Sequence, residues 1–137
     1  MFRTSDGVGI EKVFLCGITG QPPKAEISKT ALGAEESVDW EYEEEACDVI
    51  DRLKGGGISI IGVELADDAE NFWDFEAKFP VCLVFGHEVE GVSAEVLAKC
   101  DKKVFVPMNG LKESLNVEAC FSTVTYEFLR KFLNAKN

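Results

Sequence analysis

The sequence lacks any apolar run of the roughly 18–20 residues that a membrane-spanning helix requires. Its first residues, M-F-R-T-S-D, also lack the apolar stretch of a secretory signal peptide. Both absences lead us to expect a soluble, cytoplasmic chain with no membrane partner. The 137 residues, 46% hydrophobic and 28% charged, are typical of one ordinary globular domain and not of a disordered or repetitive segment.

Patterns typical of disulfide frameworks and metal sites are also absent. The five cysteines include no C-x-x-C pair, so we expect reduced, buried thiols. The single histidine, His87, has no partners at the spacing of a metal site or of a Ser-His-Asp site. We therefore predict no bound metal ion and interpret His87 as a loop residue.

Basic residues are few, with 14 against 25 acidic residues and a net charge of −11. This balance argues against indiscriminate binding to nucleic acid. The acidity is concentrated, because residues 35–76 hold 15 of the acids and only Arg52 and Lys54 as bases. We interpret this block as a solvated face.

Short apolar segments alternate with segments of helical periodicity. Strands are predicted at residues 12–16, 58–63, 81–85 and 103–106, and helices at residues 43–54, 94–100 and 117–133. Ser93 and Asn116 stand where helix N-caps are expected. Strands that are apolar at every position are typical of parallel sheets covered on both faces. The sequence therefore predicts an α/β fold with a mostly parallel sheet and helices on both faces.

The predicted last helix places Phe121, Phe128 and Phe132 on one face. Such a face needs a large partner surface, which either the sheet or a second subunit would provide. We expect this apolar face to be larger than the sheet of this chain can cover, and hence a dimer that packs through this helix.

Two glycine-containing loops follow predicted strands. Residues 85–93 read F-G-H-E-V-E-G-V-S, and residues 106–117 read V-P-M-N-G-L-K-E-S-L-N-V. In open α/β sheets, ligands bind beyond the carboxyl ends of strands, and glycine lets a backbone approach them closely. These residues alone predict a small-molecule pocket of unstated identity, and ordinary turns are the alternative.

Both loops resemble motifs of the SpoU/TrmH group of SPOUT methyltransferases. That group's second motif reads approximately F-G-N-E-x-x-G-[IVL]-S, and its third reads approximately I-P-M-x-G-x-x-x-S-L-N-V. Residues 2–9, F-R-T-S-D-G-V-G, are similar to the end of the first motif, and residues 29–34 are similar to a further recurring segment. The resemblance covers nearly the whole chain.

The resemblance implies an enzyme that transfers a methyl group from S-adenosylmethionine to a ribose 2′-hydroxyl of tRNA or rRNA. It also implies a C-terminal trefoil knot, a homodimer and a reaction that needs no metal ion. By position in the motifs, the implied catalytic residues are Arg3, Glu88 and Asn116. The implied donor-binding residues are Leu65, Gly86, Val106, Met108, Ser114 and Leu115.

The chain also departs from the family pattern. The first motif begins with an asparagine six residues before its arginine, and a strand precedes it, whereas this sequence starts after both. We therefore expect residues 1–137 to form one SpoU-type domain without its first strand, in which the helix bearing Arg3 frays. His87 replaces the usual asparagine of the second motif. The alternative function is a non-catalytic, knotted remnant that binds S-adenosylmethionine or RNA, or only dimerises.

Overall fold

The computed structural model describes residues 1–17, 37–86 and 91–136. Residues 29–34, 87 and 88, which the sequence singled out, lie outside this part of the chain. The chain divides into two compact units, Met1–Val49 and Ile50–Asn137. The boundary falls within helix α2, which spans Ala46–Gly55.

The first unit contains helix α1 (Phe2–Val8), strand β1 (Lys12–Cys16) and strand β2 (Asp39–Glu43). The two strands are parallel, and Lys12 pairs with Asp39. Helix α1 ends at Gly9, whose φ of 80° is a left-handed conformation that glycine adopts without strain. The core of this unit consists of Phe2, Val13, Leu15 and Val38.

The second unit contains a parallel sheet in the order β4-β6-β3-β5 among its described residues. Its elements are β3 (Ser59–Val63), β4 (Glu70–Asn71), β5 (Val81–Val84), α3 (Ala94–Lys99), β6 (Lys102–Phe105) and α4 (Val117–Ala135). Because the strands are parallel, the chain leaves β3, β5 and β6 at one edge of the sheet. The predicted parallel α/β architecture is confirmed.

Helices α3 and α4 lie on opposite faces of β3. Ile61 and Val63 belong to a core that includes Val124 and Phe128 of α4. Gly62, between them in the strand, points the other way. A Cβ atom there would stand 3.2 Å from Leu97 of α3, so the glycine lets this helix approach the sheet closely.

The phenylalanine face of α4 packs inside its own unit. Ring centroids lie 5.0 Å apart for Phe85 and Phe121, 6.0 Å for Phe75 and Phe128, and 5.1 Å for Phe79 and Phe132. The expectation that this face needs a second subunit is therefore wrong, because the sheet and the segment after β4 already cover it. The dimer itself stays a prediction.

Several boundaries differ from the predictions. The helix predicted at residues 43–54 begins only at Ala46, because Glu43 belongs to β2. The strand predicted at residues 103–106 spans Lys102–Phe105. Strands β2 and β4 were not predicted at all. All five cysteines are thiols, and each is half-buried, which is less burial than we expected. Among the described residues, no helix is both long and apolar enough to cross a membrane.

Candidate functional site

A cleft of about 390 Å³ opens at the carboxyl edge of the sheet in the second unit. Its walls come from the residues that follow β3, β5 and β6 and from the first turn of α4. The lining residues are Val63, Glu64, Leu65, Phe85, Gly86, Gly91, Val92, Phe105, Val106, Glu113, Ser114, Leu115, Val117 and Cys120. Both motif loops therefore contribute to one cavity, at the edge where α/β sheets bind ligands.

Two glycines let the backbone cross itself beside this cleft. A Cβ atom on Gly86 would stand 2.2 Å from the carbonyl carbon of Gly91 and 2.3 Å from the nitrogen of Val92. Gly91 has a φ of 68°, which L side chains rarely adopt. Both positions therefore require glycine, and the crossing fixes one wall of the cleft.

Glu64 holds this wall to the sheet. Its own N–H donates to the carbonyl of Val104 at 3.0 Å, which extends the pairing of β3 with β6. Its Oε2 accepts the N–H of Val92 at 2.8 Å. A Cβ atom on Gly91 would stand 2.5 Å from the same Oε2. The carboxylate thus connects the end of β3 to the chain just before α3.

The charged groups that line the cleft are carboxylates. Glu64 and Glu113 are the acidic residues of the lining, and none of the described lining residues is basic. Burial, and after it the negative charge of Glu64, raises the pKa of the Cys120 thiol, which also lines the cleft. This electrostatic environment favours a cationic ligand over an anionic one.

The loop after β6 is held by the start of α4. The Oδ1 atom of Asn116 accepts the N–H of Ala119 at 2.8 Å, which is the N-cap predicted from sequence. Ser114 and Leu115, the two residues before the cap, line the cleft. The helix start therefore fixes the position of the residues that close the third side of the cavity.

A second cavity, of about 320 Å³, lies where the chain enters β4 and β6. Its acidic and basic residues largely neutralise one another, since Lys103 pairs with Asp68 at 2.7 Å. This cavity lies at the amino edge of the strands and contains no motif residue, so we do not assign the function to it.

The structure brings together most of the predicted donor-binding residues. Five of them line the cleft: Leu65, Gly86, Val106, Ser114 and Leu115. Met108 is half-buried in the same loop as Val106 and is not part of the lining. Asn116 is exposed and caps α4. Arg3 is an exposed residue of α1 in the first unit, and Glu88 lies outside the described residues.

The sequence reasoning missed Glu64 and Cys120. Glu64 directly follows the strand predicted at residues 58–63, just as Gly86 directly follows the strand predicted at residues 81–85. That signal was available for Glu64. Cys120 offered no such signal, because it reads as one more apolar residue of the last helix.

Together, the parallel sheet and the cleft define an α/β protein with a cavity at the carboxyl edge of its sheet, lined by two motif loops. The model of the SpoU rRNA Methylase family matches residues 1–126, and the chain belongs to this family.

Curated relatives and a solved structure support this membership. The chain is 30% identical to the tRNA (guanosine(18)-2′-O)-methyltransferase of Escherichia coli strain K12, over 98% of this chain and 58% of that enzyme. It is 31% identical to the enzyme of the same name from Aquifex aeolicus, over 94% of this chain and 61% of that enzyme. The chain thus spans about three fifths of the length of these relatives. The crystal structure of the A. aeolicus TrmH/SpoU tRNA modifying enzyme aligns with a TM-score of 0.88 at 28% identity, over 98% of this chain and 68% of that one.

Proposed function

We propose that this chain transfers a methyl group from S-adenosylmethionine to a ribose 2′-hydroxyl of RNA. The observation that carries the proposal is the convergence of both motif loops on one cleft at the carboxyl edge of the sheet. The names of the relatives favour tRNA as the substrate, and rRNA is the other candidate.

The residues of the cleft fit the methyl donor. S-adenosylmethionine carries a positively charged sulfonium, and the charged groups of the described lining are carboxylates. Leu65, Val106 and Leu115 offer apolar surface to the adenine, and Gly86 contributes its backbone to the same wall. Ser114 contributes a hydroxyl to the lining. Met108 stays in the proposal as a residue of the same loop, although it does not line the cavity.

When bound, the donor supplies an activated methyl group, and no metal ion is invoked. The chain's task is to align the ribose oxygen with that methyl group and to exclude water. An arginine side chain is a cation that suits phosphate, so we propose that Arg3 orients an RNA phosphate beside the target ribose. Glu88 is proposed to order the second motif loop.

Asn116 has a narrower role than its motif position suggests. Its Oδ1 is engaged by Ala119 in the cap. Its side-chain NH2 group takes no part in this cap and is the group that we propose contacts RNA. In this proposal it holds the loop of Ser114 and Leu115 and donates to substrate through nitrogen.

The proposal includes a trefoil knot formed by the two motif loops, one methyltransferase domain over residues 1–137, and a homodimer. The family resemblance supports all three. On α4, Tyr126 and Leu133 are both 51% exposed and lie one heptad apart. In this proposal they are the apolar residues of this helix that contact the second subunit.

The decisive experiment combines donor titration with methyl transfer on the 137-residue chain. Calorimetry with S-adenosylmethionine tests the cleft, and tritiated methyl transfer to tRNA and to rRNA tests the reaction. Arg3→Ala should bind the donor normally and lose methyl transfer, whereas Arg52→Ala, which removes an exposed base outside the motifs, should lose neither. Donor binding without transfer to either RNA would favour the non-catalytic alternative. No binding by a folded sample would overturn the proposal.

A further inference from the structure

We propose that Glu64 makes the cleft prefer the cationic methyl donor over the neutral thioether product. This inference rests on the proposed function and adds a specificity-determining residue to it. It concerns the step after methyl transfer, when the product must leave before another donor molecule can bind.

Methyl transfer removes the positive charge from the sulfur of the donor, and this loss of charge is what Glu64 would distinguish. A bond forms between the ribose oxygen and the methyl carbon, and the bond from sulfur to that carbon breaks. Its electron pair stays on sulfur, so the sulfonium becomes an uncharged thioether, and the hydroxyl proton is released to solvent. The two ligands keep the same adenosine, ammonium and carboxylate groups. A fixed negative charge in the cleft therefore distinguishes them through the sulfur centre alone.

Two contacts hold the carboxylate of Glu64 in position beside the cleft. Its Oε2 is bound to the N–H of Val92, and the missing side chain of Gly91 leaves the space that this oxygen occupies. No basic side chain of the described residues forms an ion pair with Glu64, in contrast to Glu127, which contacts both Arg130 and Lys131. The described lining contains no base that would neutralise it. A half-buried carboxylate in this position is less screened than a fully exposed one.

Glu113 is the second carboxylate of the lining, and it is exposed. Solvent and salt screen an exposed charge strongly, so its contribution to discrimination should be smaller. The two residues therefore form a matched pair within one cleft. One is held by a backbone hydrogen bond, and the other projects from a loop.

The experiment measures equilibrium dissociation constants of S-adenosylmethionine and S-adenosylhomocysteine by calorimetry, without RNA. Glu64→Gln keeps an oxygen that can accept the Val92 N–H and removes only the charge. We expect it to weaken donor binding about tenfold relative to product binding, the size of a unit-charge interaction at short range in a partly solvated site. Glu113→Gln should change the ratio less, and Glu76→Gln, an exposed residue outside the cleft, should not change it.

Salt and a second variant complete the test. Added sodium chloride should reduce the preference of the wild-type chain for the donor and have little effect on Glu64→Gln. Glu64→Ala removes both the charge and the acceptor, so it should weaken both ligands. If Glu64→Gln leaves the ratio of the two constants unchanged while both ligands still bind, the inference is wrong and the proposed function stands. If the folded wild-type chain binds neither ligand, both the inference about Glu64 and the proposed function are wrong.

Discussion

The carboxylate of Glu64 accepts the N–H of Val92 at 2.8 Å and lies where a side chain on Gly91 would otherwise stand. This contact joins residues 28 positions apart in the chain. It couples the end of β3 to the segment that leads into α3, and it does so beside the cleft. Residues that shape the cleft therefore also tie the end of β3 to the segment before α3.

Replacing Gly86 with alanine should destabilise the second unit and prevent donor binding. The new Cβ would stand 2.2 Å from the backbone of Gly91, and backbone cannot move aside as a flexible side chain can. We expect a loss of about 2–3 kcal/mol in the free energy of unfolding, typical of steric overpacking. Urea denaturation followed by tryptophan fluorescence measures it.

Gly110→Ala is the matched control for that variant. Gly110 lies in the third motif loop, and a Cβ there would meet no atom within 4 Å. Its unfolding free energy and donor affinity should equal those of the wild type within error. Equal behaviour of the two alanine variants would contradict the backbone crossing described at Gly86.

The sequence predicted the second unit better than the first. Strand β3 and helices α3 and α4 follow from apolar runs, caps and helical spacing, which are local signals. Strand β2 is not predicted, because D-W-E-Y-E lies within the acidic block whose charge pattern indicates a solvated face. Its polar and aromatic residues alternate in sequence with the period of two that is typical of a strand, and Trp40 packs against the core of the first unit. Strand β4 has only two residues, too few for any periodicity.

The candidate site was predictable in its loops and not in its electrostatics. Gly86 and Val106 stand out because they follow strands within recognisable motifs. The N–H of Val92 holds the carboxylate of Glu64, and no local pattern links two residues so far apart in sequence. The helix bearing Arg3 begins at Phe2, which is 3% exposed in the core of the first unit. Its burial opposes the fraying that we expect of this helix, and the fraying stays a prediction.

Two substitutions at Asn116 should separate its cap from its proposed contact with RNA. Asn116→Ala removes the acceptor for the Ala119 N–H and should lower the free energy of unfolding by about 1 kcal/mol. Asn116→Ser keeps a capping oxygen, so its stability should stay close to the wild-type value. If the side-chain NH2 group contacts RNA, both variants lose methyl transfer to a similar extent. Full activity of Asn116→Ser would assign this residue to the cap alone.

Glu127 should make the stability of the second unit depend on acid pH. Hydrogen bonds from Arg130 and then Lys131 hold the pKa of its carboxyl below the ordinary value of 4.5. Its contribution is therefore complete above that value and is lost as the pH falls through the lower pKa of the folded state. Glu127→Gln should lower the free energy of unfolding by about 1 kcal/mol at pH 7, after allowance for the solvent exposure of Arg130.

The difference between Glu127→Gln and the wild type should shrink as the pH falls below 4.5. Denaturation curves at several pH values, recorded at low protein concentration, measure this narrowing. Glu76→Gln serves as the control, because the exposed Glu76 forms no ion pair among the described residues. A pH-independent difference would mean that Glu127 stabilises the helix through packing and not through its charge.

Alkylation of Cys120 should report both the charge of Glu64 and the occupancy of the cleft. Burial and Glu64 raise the pKa of this thiol, so its thiolate fraction at pH 8 should be low and its reaction with iodoacetamide slow. Glu64→Gln removes one cause, which lowers the pKa and should accelerate alkylation about two- to threefold. S-adenosylmethionine should protect Cys120 because this residue lines the cleft.

Cys16 is the internal control, since its raised pKa comes from burial, Glu43 and Glu41. Peptide mass spectrometry resolves the two sites, and an unchanged or slower reaction at Cys120 in Glu64→Gln would contradict the electrostatic link between Glu64 and the cleft.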